Sequence, residues 1–303
     1  MTTSLLITVF VIVLLPLVVS TAIALLLFRR QRHGRRTPLT SSLLRSPGES
    51  LRQELQVLEG NLDNFLWSTM MAGGFPALVL VGLMYLNDNK ATNWHLALCG
   101  GLYVALIVWH SWRLYGFLQQ RQNLSLGLDA ELAVGQELNH LMLQGCRVFH
   151  DFPAENFNID HVVVGPGGVI AVETKGRAKP DKGRGSVDAT VVYDGQILRF
   201  PDWHESEPLE QAKRQAEWLQ KWLGSAVGES VPVKPALALP GWFIERTKSG
   251  SVFIFNGKNP VYLAKPLETN APMDPQMIQR IAHQLEQRCR DVEPVAYRKE
   301  KKP

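Results

Sequence analysis

Three ionisable side chains stand beside apolar, β-branched residues near the middle of the chain. Asp160 comes before two short apolar runs, and Glu173 and Lys175 come directly after them. The runs are joined by Pro166-Gly167-Gly168, a turn sequence that predicts a β-hairpin. Asp160 would lie opposite Glu173 if the turn is formed by residues 166 and 167, and opposite Lys175 if it is formed by 167 and 168. Because cross-strand partners share a face, as do residues two apart on one strand, either register brings the three side chains together.

Two carboxylates and an ammonium group are costly to bury unless a further group pairs with them. A divalent metal is a natural partner, since hard cations bind oxygen ligands. Lys175 would then lie beside a metal-bound water and could orient it or help to deprotonate it. The alternative is an exposed hairpin with cross-strand ion pairs. The uninterrupted runs Val162–Val164 and Val169–Val172 favour a buried site, because such runs are typical of strands covered on both faces.

Four motifs around this hairpin resemble, in their order, the nuclease-related domain (NERD), a branch of the PD-(D/E)XK nuclease superfamily. They span most of residues 127–240, and they are Gly135-Gln136-Glu137, Ile159-Asp160, Glu173-Thr174-Lys175 and Pro208-Leu209-Glu210-Gln211. The resemblance implies a restriction-endonuclease-like α/β fold, in which a mixed sheet is flanked by helices. Isoleucine precedes the first acid where the superfamily has proline, which is usual for this branch.

The resemblance also implies a metal site. Asp160 and Glu173 would bind Mg²⁺ or Mn²⁺, assisted by the backbone carbonyl of Thr174. Glu137 would bring a further acid to the metal from the first helix of the domain, and it is counted with the catalytic residues.

Two more catalytic roles follow from the same resemblance. Lys175 would be the catalytic lysine, and Gln211 would contact the active site from the following helix. Gln215 lies one helical turn after Gln211, so both could face the site. For Gln215 we prefer a position on a solvated helix face.

A basic loop follows the hairpin and could contact the phosphates of a nucleic acid. A solvated loop is an equally good interpretation, because the charges surround glycines and a proline in no ordered pattern. The candidate nucleic-acid-binding residues are Arg177, Lys179, Lys182 and Arg184.

Three stretches without Asp, Glu, Lys or Arg predict three transmembrane helices before the α/β domain; they are residues 2–28, 65–86 and 94–112. A buried helical hairpin is the alternative for the second and third stretches. Their length and the pairs Gly73-Gly74 and Gly100-Gly101 favour lipid, and small residues of this kind would also allow a homo-oligomer to form through the transmembrane helices.

The arginine distribution predicts an orientation in the bilayer. Residues 29–64, interpreted as a basic cytoplasmic loop and an amphipathic helix, hold seven arginines, whereas 87–93 hold one basic residue, Lys90. Arg113 and Arg121 follow the third stretch, in a predicted linker at 113–126. The positive-inside rule therefore predicts an outside N-terminus and a cytoplasmic C-terminal domain, an arrangement typical of a multi-pass protein of a bacterial inner membrane.

The overall charge does not point to nucleic acid. Residues 127–303 hold 22 Lys and Arg against 23 Asp and Glu, so the basic excess behind the pI of about 9.0 lies in residues 1–126. We assign this excess to membrane topology and anionic headgroups. The three cysteines are widely scattered, and no zinc or nucleotide-binding motif indicates further chemistry.

Residues 127–290 are predicted to form the NERD-like α/β domain, followed by a basic tail at 291–303. Asp194-Gly195 predicts a second hairpin, and Pro208 suits the first turn of a helix that runs to about residue 223. The remaining expected elements are helices over 129–143 and 274–290 and strands over 147–152, 234–239, 252–255 and 261–263. This order predicts a mixed sheet.

The function that these observations favour is a membrane-anchored, Mg²⁺-dependent nuclease that hydrolyses DNA or RNA in the cytoplasm. A different class remains open: a catalytically inactive, nuclease-like binding or sensing module tethered to the membrane. The lack of a basic surface on the domain favours the second, whereas the intact set of Asp160, Glu173 and Lys175 favours the first. A weaker alternative makes the domain an assembly module for the membrane part.

Overall fold

The computed structural model describes residues 41–86, 93–258, 260–264 and 272–294, together with residues 19, 21–23, 25, 26 and 39. Most of the first predicted span, 2–28, and most of the basic tail lie outside the described residues. Residues Arg45–Cys289 form one compact unit, and all elements described below lie within it.

Three helices precede the sheet. Helix α1 (Glu49–Gly73) starts after Gly48, whose left-handed φ of 66° suits glycine, and α2 (Phe75–Leu86) follows after a break at Gly74. Helix α3 (Asn93–Asn139) is 47 residues long and includes both the third predicted span and the predicted linker at 113–126. Phe65 of α1 packs against Phe117 of α3 with ring centroids 5.4 Å apart.

The prediction of three transmembrane helices is not supported. Among the described residues, one helical stretch, Asn93–Gln144, is long and apolar enough to cross a bilayer, and only 11% of its apolar window is buried. The second predicted span, 65–86, is divided between the end of α1 and the 12-residue α2, so neither part is a long apolar helix. The low burial argues against a soluble core helix, which would be mostly enclosed.

A five-stranded mixed sheet forms the centre of the unit, with strand order β1-β2-β3-β7-β9. Strands β1 to β3 are antiparallel, and β3, β7 and β9 are parallel. The strands are β1 (Arg147–Pro153), β2 (Asn158–Gly165), β3 (Gly168–Thr174), β7 (Val233–Ala238) and β9 (Phe253–Phe255). The apolar runs that predicted β2 and β3 are buried on both faces, as expected for central strands.

A smaller sheet has the order β6-β5-β4-β8 and is also mixed, since β4 and β8 run parallel. The hairpin predicted at Asp194-Gly195 is confirmed: it joins β4 to β5, and the Asp194 carboxylate accepts the N–H of Ile197 at 2.9 Å. These strands are β4 (Thr190–Tyr193), β5 (Leu198–Arg199), β6 (His204–Glu205) and β8 (Phe243–Arg246). The strand predicted at 261–263 is wrong. Pro260–Ala264 forms a 3-10 turn, which the fixed φ of Pro260 permits.

Helices cover both faces of the five-stranded sheet. Helices α4 (Glu207–Val227) and α5 (Pro275–Cys289) pack on one face, and the C-terminal part of α3 packs on the other. Alternate residues of β2 and β3 divide between the two cores: Val162, Val164 and Ala171 contact the α4 and α5 side, and Val163, Ile170 and Val172 contact the α3 side. The chain is thus a mixed α/β fold with two mixed sheets flanked by helices, and the predicted helices of the domain are confirmed.

Candidate functional site

The register of the β2–β3 hairpin decides how the three ionisable residues meet. The observed pairs include Val164↔Val169 and His161↔Val172, so Pro166 and Gly167 form the turn. This is the first of the two registers that the sequence permitted. Asp160 and Glu173 therefore stand opposite each other, one step beyond the last regular pair.

Asp160, Glu173 and Lys175 converge as predicted from the hairpin. The Asp160 Oδ2 atom accepts the backbone N–H of Thr174 at 2.6 Å, and Lys175 Nζ lies 2.6 Å from Glu173 Oε1. Glu173 is 1% exposed, whereas the side chain of Lys175 is 24% exposed. Lys175 and the half-buried Asp160 are thus the parts of this cluster that solvent or a substrate can reach, whereas Glu173 is enclosed.

Helix α4 contributes an amide to the cluster, from Gln215. Its Nε2 donates to Glu173 Oε2 at 2.6 Å and to the backbone oxygen of Asn158 at 3.2 Å. The expectation of a solvated Gln215 is wrong, because Gln215 shares the buried stripe of α4 with Ala212 and Leu219. Gln211, one turn earlier, is only half-buried, and its role stays a prediction.

Helix α3 brings a carboxylate close to the site, and it belongs to Glu131. Glu131 is 8% exposed, and its carboxylate lies beside the Gly48 backbone. Sequence reasoning missed it and selected Glu137. A usable signal was present: Glu131 is in helical phase with the buried Val134 and Leu138, whereas Glu137 lies about 120° away around the helix and is half-buried. The catalytic role of Glu137 stays a prediction.

The cluster holds more negative than positive charge. The pKa of Glu131 is raised from 4.5 to about 8, chiefly by burial and then by the charges of Asp151 and Glu173. Burial likewise raises the pKa of Asp160 well above its ordinary value, with Glu173 and Glu131 adding to the effect. Lys175 lowers both pKa values but does not cancel the rise. Carboxylates crowded in this way gain from a nearby cation.

The donor set fits a hard divalent cation. Buried oxygens without a hydrogen-bond partner in the described part of the chain include Gln215 Oε1 and Thr174 Oγ1. Within the same residues, no three His, Cys, Asp or Glu side chains are grouped so as to hold a metal by themselves. A cation here would therefore be held by the carboxylates together with backbone or amide oxygens and water.

The predicted nucleic-acid loop carries cations that already have acidic partners. Arg177 makes two bonds of 2.9 Å with Glu205, and Lys182 lies 2.9 Å from Asp202. Arg184 lies 2.5 Å from Asp188 and 3.3 Å from Asp202. Lys179 Nζ lies 6.0 Å from the centre of the Trp242 ring.

A groove of about 1080 Å³ lies between α1 and α3 and ends beside Ser50 and Asn158. Its lining combines aromatic rings such as Trp109 with amides and Arg113. The groove therefore borders the carboxylate cluster through Asn158, whose carbonyl receives Gln215, but it does not contain the carboxylates themselves.

The fold and the site define an α/β protein with an acid–acid–lysine cluster at the end of a central hairpin. Residues 126–240 match the family model of the nuclease-related domain, NERD. No curated protein and no solved structure matches the chain. The matched range includes Glu131, Asp160, Glu173, Lys175 and Gln215, so the whole cluster lies within the nuclease-related segment, whereas α1, α2 and most of α3 lie outside it.

Proposed function

We propose that this protein is a membrane-anchored, metal-dependent nuclease that hydrolyses phosphodiester bonds of DNA or RNA. The observation that carries the proposal is the convergence of Asp160, Glu173 and Lys175, with Gln215 on Glu173, inside the segment that matches the nuclease-related domain. The restriction-endonuclease-like arrangement of the sheet is part of the same proposal.

Asp160 and Glu173 would hold Mg²⁺ or Mn²⁺ with the backbone carbonyl of Thr174, and Glu131 of helix α3 would add negative charge beside this pair. When bound, such a cation supplies charge stabilisation for the phosphoryl oxygens and makes a water molecule more acidic. The raised pKa values of Glu131 and Asp160 support this assignment, because a bound cation offsets the free-energy cost of burying charged carboxylates close together.

Lys175 would donate from its ammonium group to a phosphate oxygen as negative charge develops there. Its partial exposure beside the buried Glu173 supports this role. Gln215 would orient Glu173, since its Nε2 bonds both the carboxylate and the backbone of β2. Phosphates would approach the loop that holds Lys179, while Arg177, Lys182 and Arg184 would have to exchange acidic partners for phosphate.

Membrane anchoring would use the apolar N-terminal part of helix α3. Arg113 and Arg121 follow this stretch, which supports a cytoplasmic position for the nuclease-related domain. Self-association through this helix is a further part of the proposal, since Gly100 and Gly101 have open space around their Cα atoms.

A binding module without turnover is the second candidate, and the paired cations of the loop favour it. Enzymes that act on nucleic acid usually present unpaired basic residues to the phosphate backbone. In this loop, Glu205, Asp202 and Asp188 form ion pairs with the basic residues.

Cleavage by the full chain, purified in detergent, separates the two candidates. Single- and double-stranded DNA and RNA would be incubated with Mg²⁺, with Mn²⁺ or with EDTA. We expect metal-dependent cleavage that falls by about 10²-fold or more in Glu173→Gln and Lys175→Ala. Glu217→Gln, an exposed acid on α4, is the matched control and should retain full activity. Equal cleavage by the wild type and both site variants would contradict the nuclease assignment, and binding without cleavage would support the second candidate.

A further inference from the structure

The chain that leads into the first residues of helix α1 reaches the carboxylate cluster from outside the family-matched residues. This 45–50 segment, Arg45–Ser50, contacts three elements of the nuclease-related domain: β1, β2 and α3. The sequence alone predicts a loop between membrane helices here.

The first contact is with Asp151 on β1. Asp151 Oδ2 accepts three hydrogen bonds, from Arg45 Nη1 at 2.8 Å, Ser50 Oγ at 2.7 Å and Ser50 N at 3.0 Å. Asp151 is 3% exposed, so these donors replace the water that its carboxylate would otherwise bind.

Asp151 lies directly across from Asp160. The pairs on either side, His150↔His161 and Phe152↔Ile159, are regular, but the step between them is interrupted. Asp151 has a left-handed φ of 49°, a conformation that is uncommon for residues other than glycine.

The interruption changes which face the strand residues occupy. In β1, Phe149 and Phe152 join the same core, although simple alternation would place them on opposite faces. Ile159 and Val162 of β2 behave in the same way. The side chains of β1 and β2 therefore change the face of the sheet on which they lie at the kink formed by Asp151, directly across from Asp160.

The second contact runs through Asn158 to Glu173. Asn158 Nδ2 donates to Ser50 Oγ at 2.6 Å, and the backbone oxygen of Asn158 accepts from Gln215 Nε2 at 3.2 Å. The same Gln215 nitrogen donates to Glu173 at 2.6 Å. Ser50 is thus connected to the site carboxylate through two intermediate residues, Asn158 and Gln215.

The third contact fixes Glu131. The Gly48 backbone lies beside the Glu131 carboxylate and lowers its pKa, and Pro47 packs on Gly135 one turn along α3. A Cβ at Gly135 would lie 2.6 Å from Pro47 Cγ, so the close approach requires glycine at this position.

We propose that the 45–50 segment is a positioning element of the active site, with Arg45 and Ser50 as positioning residues that set Asp160, Glu173 and Glu131 through Asp151, Asn158 and Gly48. The inference rests on the proposed function and extends it: the site is complete only when residues outside the nuclease-related segment are docked on it. Removal of a residue that hydrogen-bonds to a metal ligand commonly lowers metal affinity or activity by about 10- to 100-fold.

The test uses the full chain in detergent, with Mn²⁺ as the probe. Ser50→Ala and Arg45→Ala are each expected to weaken Mn²⁺ binding, measured by calorimetry, and to lower kcat by about 10-fold or more with little change in KM. Ser50→Thr, which keeps the hydroxyl, is expected to restore both quantities. Gln56→Ala, an exposed position two turns into α1, is the matched control and should behave as wild type.

Thermal unfolding of each variant separates positioning from loss of the fold, and Arg45→Lys replaces Arg45→Ala if the alanine variant does not fold. Wild-type Mn²⁺ affinity and kcat in both Ser50→Ala and Arg45→Ala would overturn the positioning role while leaving the nuclease assignment intact. A wild type that binds no Mn²⁺ and cleaves no substrate would instead overturn the proposed function and the positioning role with it.

Discussion

Glu131 and Asp160 retain their protons more strongly than ordinary carboxyl groups, because both are buried next to further carboxylates. Without a cation, the folded protein avoids placing several negative charges together by keeping protons on Glu131 and Asp160. Lys175 supplies a single opposing charge, at the exposed side of the cluster. A cation with more positive charge than one lysine would relieve this repulsion, as the proposed metal site requires.

This electrostatic arrangement predicts a pH-dependent stability of the metal-free protein. Glu131 has a pKa of about 8 when folded and about 4.5 when unfolded, so the folded state binds more protons across this range and stability falls as pH rises. The buried His150, whose pKa burial lowers to about 4, and His161 act in the opposite direction, but only below about pH 6.5. The midpoint temperature of thermal unfolding should therefore decrease as the pH is raised from about 7 to about 8.

Glu131→Gln should flatten this decrease, and Glu137→Gln, a half-buried acid on the same helix, should leave it as in the wild type. The measurement is calorimetric unfolding in EDTA at several pH values. An unchanged decrease in Glu131→Gln would show that Glu131 is not the group responsible.

At the scale of elements, two helices and one hairpin meet at the site, and each contributes through its buried face. Helix α4 places Gln215 on Glu173 because that residue lies on the helix stripe that also packs the core. Helix α3 places Glu131 near Glu173 by the same rule. Side chains one or two turns away, Gln211 and Glu137, keep partial exposure.

The two glutamines of α4 offer a direct comparison. Gln215→Leu would leave Glu173 Oε2 without its amide donor in a buried position, so Mn²⁺ affinity should fall by about 10-fold or more. Gln211→Leu should change the affinity by less than about threefold. Calorimetric titration of the two variants measures both, and a larger effect of Gln211→Leu would restore the assignment made from sequence.

At the scale of the whole molecule, helix α3 is continuous from its apolar N-terminal stretch to the acid that it brings to the site. If the apolar stretch after Asn93 is anchored in a membrane, the same continuous helix connects that anchor to Glu131. Arg113 and Arg121, which follow the apolar stretch, predict that this part of the helix leaves the bilayer on the cytoplasmic side.

Cysteine labelling in intact cells tests this placement. The chain's own Cys99, Cys146 and Cys289 are buried, so the unmodified protein is the control and should react slowly with a membrane-impermeant maleimide. Glu217→Cys places a thiol on the exposed face of α4 and should react only after the cells are permeabilised. Rapid labelling of Glu217→Cys in intact cells would place the domain outside.

The sequence by itself determined the local elements: the strands around Pro166-Gly167-Gly168, the hairpin at Asp194-Gly195, and the helix that begins near Pro208. It also predicted that Asp160, Glu173 and Lys175 lie together, because a hairpin brings residues close in the chain together through turn geometry and strand alternation alone. The tertiary structure decided between the two hairpin registers, and it decided which residues of distant elements join the site.

Helical phase could have placed Glu131 on a buried face, but the contacts of Gln215, Glu131 and the 45–50 segment could not be assigned from local pattern. Their partners lie tens of residues away and depend on how helices are rotated against the sheet. The same reason applies to the basic loop, whose cations are paired with Glu205 and Asp202 only after the chain has folded. Periodicity predicts which face of one element is buried, whereas contacts between elements are set by packing of the whole core.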